Sequence, residues 1–133
     1  MKAFNEWLNE QIHESTAKVV YGPGIRIIAE VDQELSRYYR SLIPKYLNVK
    51  PQKYRSHITI VRTGVENPPN MEYWGKYENQ HINFSYDPII KNDGTYFWLD
   101  AYSSDIEKIR EELGLPKYRL ARKEYHITIA NLK

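Results

Sequence analysis

The sequence predicts an α+β domain: two pseudo-symmetric lobes of antiparallel sheet, helices on their outer faces and a central cleft between them. Three observations carry this. The tetrapeptide His57-Ile58-Thr59-Ile60 recurs as His126-Ile127-Thr128-Ile129. The order strand, helix, His-containing strand occurs once before each copy is complete. Asn92-Asp93-Gly94, flanked by β-forming runs, marks a hairpin in the second half.

Both tetrapeptides read as strands because Ile and Thr are β-branched and favour extended backbone. With a side-chain period of two, His57 and Thr59 share one face and Ile58 and Ile60 the other. His126 and Thr128 stand in the same way above Ile127 and Ile129. Two such strands brought together gather two imidazoles and two hydroxyls around one small volume, which suits a phosphate.

The elements follow in order. Phe4, Trp7, Leu8 and Ile12 recur at helical spacing over residues 2–14. Residues 1–20 are accordingly expected to form an amphipathic helical extension, and residues 21–133 the bilobal domain. Tyr21-Gly22-Pro23-Gly24 breaks the chain. Ile25 to Val31 is a strand with Ile25, Ile27, Ala29 and Val31 on one face. Asp32 caps a helix that runs to about Ile43 and stops at Pro44. A basic loop leads to the first His strand, Tyr54 to Arg62. Thr63 to Gln80 has no period, contains Gly64, Pro68, Pro69 and Gly75, and is either a functional loop or a cover. His81 to Lys91 and Thr95 to Tyr102 form the hairpin, with Phe97, Leu99 and Ala101 toward a helix. Ser103 or Ser104 caps that helix, in which Ile106, Ile109 and Leu113 recur, and Gly114 ends it.

Composition narrows the chemistry. The 133 residues include no cysteine, so a thiolate nucleophile, a redox pair and a disulfide framework are excluded. No membrane span or signal-peptide core is seen, and a reducing, cytoplasmic setting is expected. A net charge of +2 is too small for wholesale coating of nucleic acid. Its distribution matters more. Lys45, Lys50, Lys53 and Arg55 precede the first His strand, and Lys117, Arg119, Arg122 and Lys123 the second. These groups either draw an anion to the histidines or are ordinary solvated loop residues. Twelve tyrosines and three tryptophans offer stacking surfaces or simply fill a sheet.

Two H-x-T motifs, each closing a strand–helix–strand unit, resemble those of the 2H phosphoesterase superfamily. The resemblance covers roughly residues 24–132. That family includes RNA 2′,3′-cyclic phosphodiesterases, enzymes that degrade 2′,5′-linked oligoadenylate, and phage nucleases that destroy cyclic oligonucleotide messengers. The resemblance implies that His57 and His126 are the catalytic pair and that Thr59 and Thr128 bind the phosphate. The chemistry is consistent with this. Imidazole titrates near neutrality, so one copy can take a proton while the other gives one, without a metal or other cofactor.

Arg55, two residues before His57, is a further phosphate contact unless it pairs with Glu30 or Asp100. Tyr96, Trp98, Tyr102 and Tyr118 are candidates for base stacking; Tyr125, expected to face the core with Ile127, is the weakest. Two histidines without a nearby carboxylate or thiolate make a poor metal site. His81 could add a third ligand, but a surface role suits its position better. His13 receives no role.

The expected activity is metal-independent cleavage of a 2′,3′-cyclic, 2′,5′ or cyclic 3′,5′ phosphodiester in a nucleotide or short single-stranded RNA. The protein is expected to act as a monomer, without membrane or obligate protein partner. One alternative is a phage nuclease that degrades cyclic immune messengers. Against it, the chain ends four residues after Ile129, where such members continue. Another is a non-catalytic nucleotide- or RNA-binding module. The first residues resemble the opening of head-associated phage proteins, and Leu8-Asn9-Glu10 and Ile12-His13-Glu14 resemble prohead-protease sites. That would make a packaged enzyme released into host cytoplasm. We favour simple packing of the helix on the domain.

Overall fold

Buried and accessible side chains alternate along both His-x-Thr segments and along His81–Tyr86, and each of these is a strand. The computed structural model describes residues 13–62, 64–118 and 124–133. Its strands are β1 (His13–Tyr21), β2 (Ile27–Glu30), β3 (His57–Val61), β4 (His81–Tyr86), β5 (Lys91–Asn92), β6 (Tyr96–Tyr102) and β7 (Tyr125–Asn131). Helix α1 (Gln33–Ser41) precedes β3, and α2 (Ser104–Glu112) precedes β7. The strands run antiparallel in the order β4-β1-β2-β3-β7-β6, and β4 also pairs with β6. Six strands therefore close into a ring, which leaves no free edge on them. β5 joins outside the ring, as the hairpin partner of β6. The class is α+β.

The core lies on the isoleucine face of the motif strands. Ile58, Ile60, Ile127, Ile129 and Leu99 have no solvent exposure, and Ile27 and Ala29 of β2 join them. Helix α1 packs on β7, and α2 packs on β4 and β3. Tyr39 and Ile43 reach this core from the first helical segment, and Ile106, Ile109 and Leu113 from the second. Each buried side chain of this size contributes about 1.5–3 kcal/mol.

Local chemistry sets the boundaries. The Asp32 carboxylate accepts from the Glu34 amide at 2.9 Å and starts α1. Ser103 Oγ accepts from the Ile106 amide at 3.2 Å and starts α2. Gly114 ends that helix with φ of +82°, and a Cβ there would meet Pro69 Cγ at 2.5 Å. At the hairpin, Asp93 accepts from the amides of Tyr96 and Thr95, which holds its carboxyl below the usual range.

The chain departs from the sequence expectation at β1 and at the end of β4. His13 and Glu14 open β1 and do not continue a helix; residues 1–12 lie outside the described residues. β1 pairs with both β2 and β4, with Ala17 opposite Ile82 and Val19 opposite Ala29. The strand expected over 81–91 is interrupted after Tyr86. Pro88 has no N–H for a ladder, and the Asp87 amide instead donates to the Asp100 carbonyl at 2.9 Å. The long connection after β3 is a cover: Trp74 and Tyr77 pack against the core. It is clamped to α2 where Lys76 pairs with Glu112 at 2.6 Å and the Tyr77 hydroxyl donates to the same carboxylate.

Two predictions follow from these contacts. Arg110 of α2 has no exposure; it donates to the Ile60 carbonyl at 2.6 Å, to Pro116 and to both carboxylate oxygens of Glu66. Arg110→Ala would empty a fully buried site and take the guanidinium from the Glu66 carboxylate, whose side chain is 12% exposed, and should lower stability in urea unfolding by about 3–5 kcal/mol. A loss no larger than that of an exposed pair, about 1 kcal/mol, would contradict this role. The second concerns the clamp. Lys76, and then Tyr77, hold the Glu112 carboxyl below its usual range. A depressed folded value stabilises above the unfolded pKa and is lost as pH falls through the folded one. Acidification below about pH 4 should therefore expose residues 64–80 to protease, and Glu112→Gln should expose them already at neutral pH.

Candidate active site

The two motifs are adjacent in the sheet. β3 and β7 pair at Ile58 and Ile127. One step outward along each antiparallel strand sets His57 across from Thr128, and Thr59 across from His126. The four polar side chains thus form a quadrilateral on the face opposite the aliphatic core, with the histidines on its diagonal. Cross-strand neighbours of this kind have Cβ atoms about 4.5–5.5 Å apart. The flanking strands extend the pattern: Glu30 lies beside His57 and Ile28 beside Thr59. On the other side, Trp98 lies beside Thr128 and Asp100 beside His126.

These four side chains line one open cavity of about 130 Å³. Among the described residues, its remaining wall is Gln52, Tyr54, Arg55 and Ser56, from the segment that enters β3. That segment is fixed at both ends. Lys50 exchanges backbone hydrogen bonds with Asn131 at the end of β7. The Gln33 side chain at the start of α1 accepts from the Ser56 amide at 2.9 Å and donates to the Ser56 carbonyl at 3.2 Å. The residue before His57 is therefore pinned to a helix.

His57 has a defined tautomer. Its Nδ1 lies 2.8 Å from the Arg55 carbonyl oxygen. A carbonyl can only accept, so Nδ1 carries the proton and Nε2 is the nitrogen that can take or give one.

Charge on this face is uneven. Arg55 lies 3.9 Å from Glu30 with its side chain 71% exposed, a loose pair that leaves it able to meet an anion. Asp100 is buried, pairs with Lys91, and accepts from the Trp98 indole N–H at 3.1 Å. The hydrogen bond that Lys91 donates to Asp100, and then the charge of Asp100, raise the pKa of Lys91. Among the described residues, no three His, Asp or Glu side chains are grouped to hold a metal ion.

The cavity brings together His57, Thr59, His126, Thr128 and Arg55, and none of the four aromatic candidates lines it. Trp98 shares the site face, but its N–H is bound to Asp100. Tyr96 carries the Lys133 ammonium over its ring at 4.9 Å. Tyr102 stands opposite Ser85, at the β4–β6 junction. Tyr118 donates its hydroxyl to Glu107 and packs on Tyr125, which is buried and donates to the Lys117 carbonyl. His81 opens β4, and His13 stacks on Tyr86. Arg119, Arg122 and Lys123 lie outside the described residues. Sequence reasoning missed Gln52, Tyr54 and Ser56; their one signal was membership of the basic segment that precedes the motif.

Comparison with protein-family models, with curated proteins and with solved structures finds no match for this chain.

The tautomer can be checked directly. Nitrogen-15 spectra of the neutral protein should show His57 protonated at Nδ1 and bare at Nε2. The opposite tautomer would contradict the Arg55 contact.

Proposed function

We propose that this protein is a metal-independent phosphodiesterase of the 2H phosphoesterase type, acting on a nucleotide or short RNA. One observation carries the reading: both His-x-Thr pairs line one cavity, with the two histidines diagonal across it. In-line displacement at phosphorus needs a base at the attacking oxygen and an acid at the leaving oxygen, on opposite sides. Diagonal imidazoles meet that need. The Thr59 and Thr128 hydroxyls on the other diagonal donate to the non-bridging oxygens and offset developing charge, with Arg55 adding a cation at the rim.

The ring order also supports the two-lobe reading. β1, β2, α1 and β3 have counterparts in β4, β6, α2 and β7, and the closed order β1-β2-β3-β7-β6-β4 reads the same from either end under that exchange. A pseudo-twofold axis would pass between Ile58 and Ile127. Cleavage of a cyclic immune messenger and non-catalytic binding are the alternatives that the assay separates.

The protein should be incubated in EDTA with 2′,3′-cyclic mononucleotides, 2′,5′-oligoadenylate, cyclic dinucleotides and short single-stranded RNA. Turnover of at least one member is expected. His57→Ala and His126→Ala should each lower kcat by about 10²–10⁴-fold, the range for a general acid or base, with ligand binding retained. Binding without turnover in the unmodified protein would favour the non-catalytic module.

A further inference from the structure

We infer that the segment Gln52–Arg55 is a nucleobase subsite, with Tyr54 as its stacking platform at the cavity mouth. The inference rests on the phosphodiesterase reading for which end of the ligand occupies the motifs.

The cavity is small. Pockets that enclose a whole organic ligand run to about 300–1,000 Å³, and this one measures about 130 Å³. It has room for a phosphodiester and part of a sugar, so a base attached to that sugar must emerge at the rim. Tyr54 stands there. It lines the cavity and is 71% exposed. The Lys53 ammonium lies over its ring at 5.6 Å, a cation beside the path of an anionic ligand.

The segment is also held in place before any ligand arrives. Lys50 is bound to the β7 end through both backbone groups, and Ser56 to Gln33 through both of its own. Gln52 adds a further tie, because its Oε1 accepts from Asn131 Nδ2 at 2.5 Å. Gln52 also lines the cavity, and with that oxygen committed its amide nitrogen is the group it can offer a ligand, a donor suited to a sugar or base oxygen or a ring nitrogen. An exposed aromatic on a segment anchored at both ends binds a base at less conformational cost than one on a free loop. Tyr46 provides an internal contrast: it is 80% exposed but lines no part of this cavity.

The test compares adenosine 2′,3′-cyclic phosphate with glycerol 1,2-cyclic phosphate, which has the strained diester and no base. Tyr54→Ala should raise KM for the nucleotide about 5–150-fold, the equivalent of one stacked base, with kcat unchanged. It should leave glycerol 1,2-cyclic phosphate untouched. Tyr54→Trp should restore the nucleotide KM, and Tyr46→Ala should alter neither substrate. Equal effects of Tyr54→Ala on both substrates, or none on either, would overturn the subsite while leaving the phosphodiesterase reading in place. If neither substrate is turned over, binding of adenosine 3′-monophosphate and of inorganic phosphate decides the point. Loss of the nucleotide alone in Tyr54→Ala supports the subsite, and an unchanged affinity overturns it.

Discussion

The antiparallel pairing of β3 with β7 is the constraint on which the other features of the molecule depend. Ile58 and Ile127 meet with no solvent exposure, inside a layer that α1 and α2 cover. A strand allows no independent choice of faces. Once the isoleucines are buried, His57, Thr59, His126 and Thr128 must all project to the other side. A slip of one residue in this pairing would expose the aliphatic set and bury the imidazoles, so the hydrophobic effect fixes the register of the polar quadrilateral. Closure of the ring by β4 and β6 then holds the flanking positions, which carry Glu30, Ile28, Trp98 and Asp100.

The support around the quadrilateral is unequal although the motifs are identical. His57 is tied through Nδ1 to the carbonyl of Arg55, in a segment held by Gln33 and Asn131. His126 stands beside Asp100, a buried carboxylate bound by Lys91 and Trp98. On the proposed mechanism the two histidines act as base and acid, which require different surroundings. These supports supply a difference that the repeated tetrapeptide does not contain.

Much of this was legible in the residues themselves. The period-two alternation in both His strands, the Asp32 and Ser103 caps, the Asn-Asp-Gly hairpin and the Gly114 stop are local signals, and each appears where its chemistry places it. β1 was not legible. Its inward positions include Ser15 and Ala17, too small or polar to stand out, and the stronger helical spacing of Phe4, Trp7, Leu8 and Ile12 suggested a helix through residue 14. The end of β4 was overrun because Ile89 and Ile90 look like strand residues, whereas Pro88 breaks the ladder. The cavity wall was the hardest to foresee. Gln52, Tyr54 and Ser56 lie in an irregular segment whose place is set by partners far along the chain, Asn131 and Gln33, and no local pattern encodes such ties.

The most direct test of the central claim is a titration of the isotopically labelled protein with a uridine–vanadate complex, which mimics the five-coordinate phosphorus of the transition state. The side-chain resonances of both histidines are followed. If the two motifs act on one phosphorus atom, His57 and His126 shift together along one saturating curve, more tightly than with uridine or vanadate alone. A response from one histidine only, or from neither, would contradict a shared catalytic site.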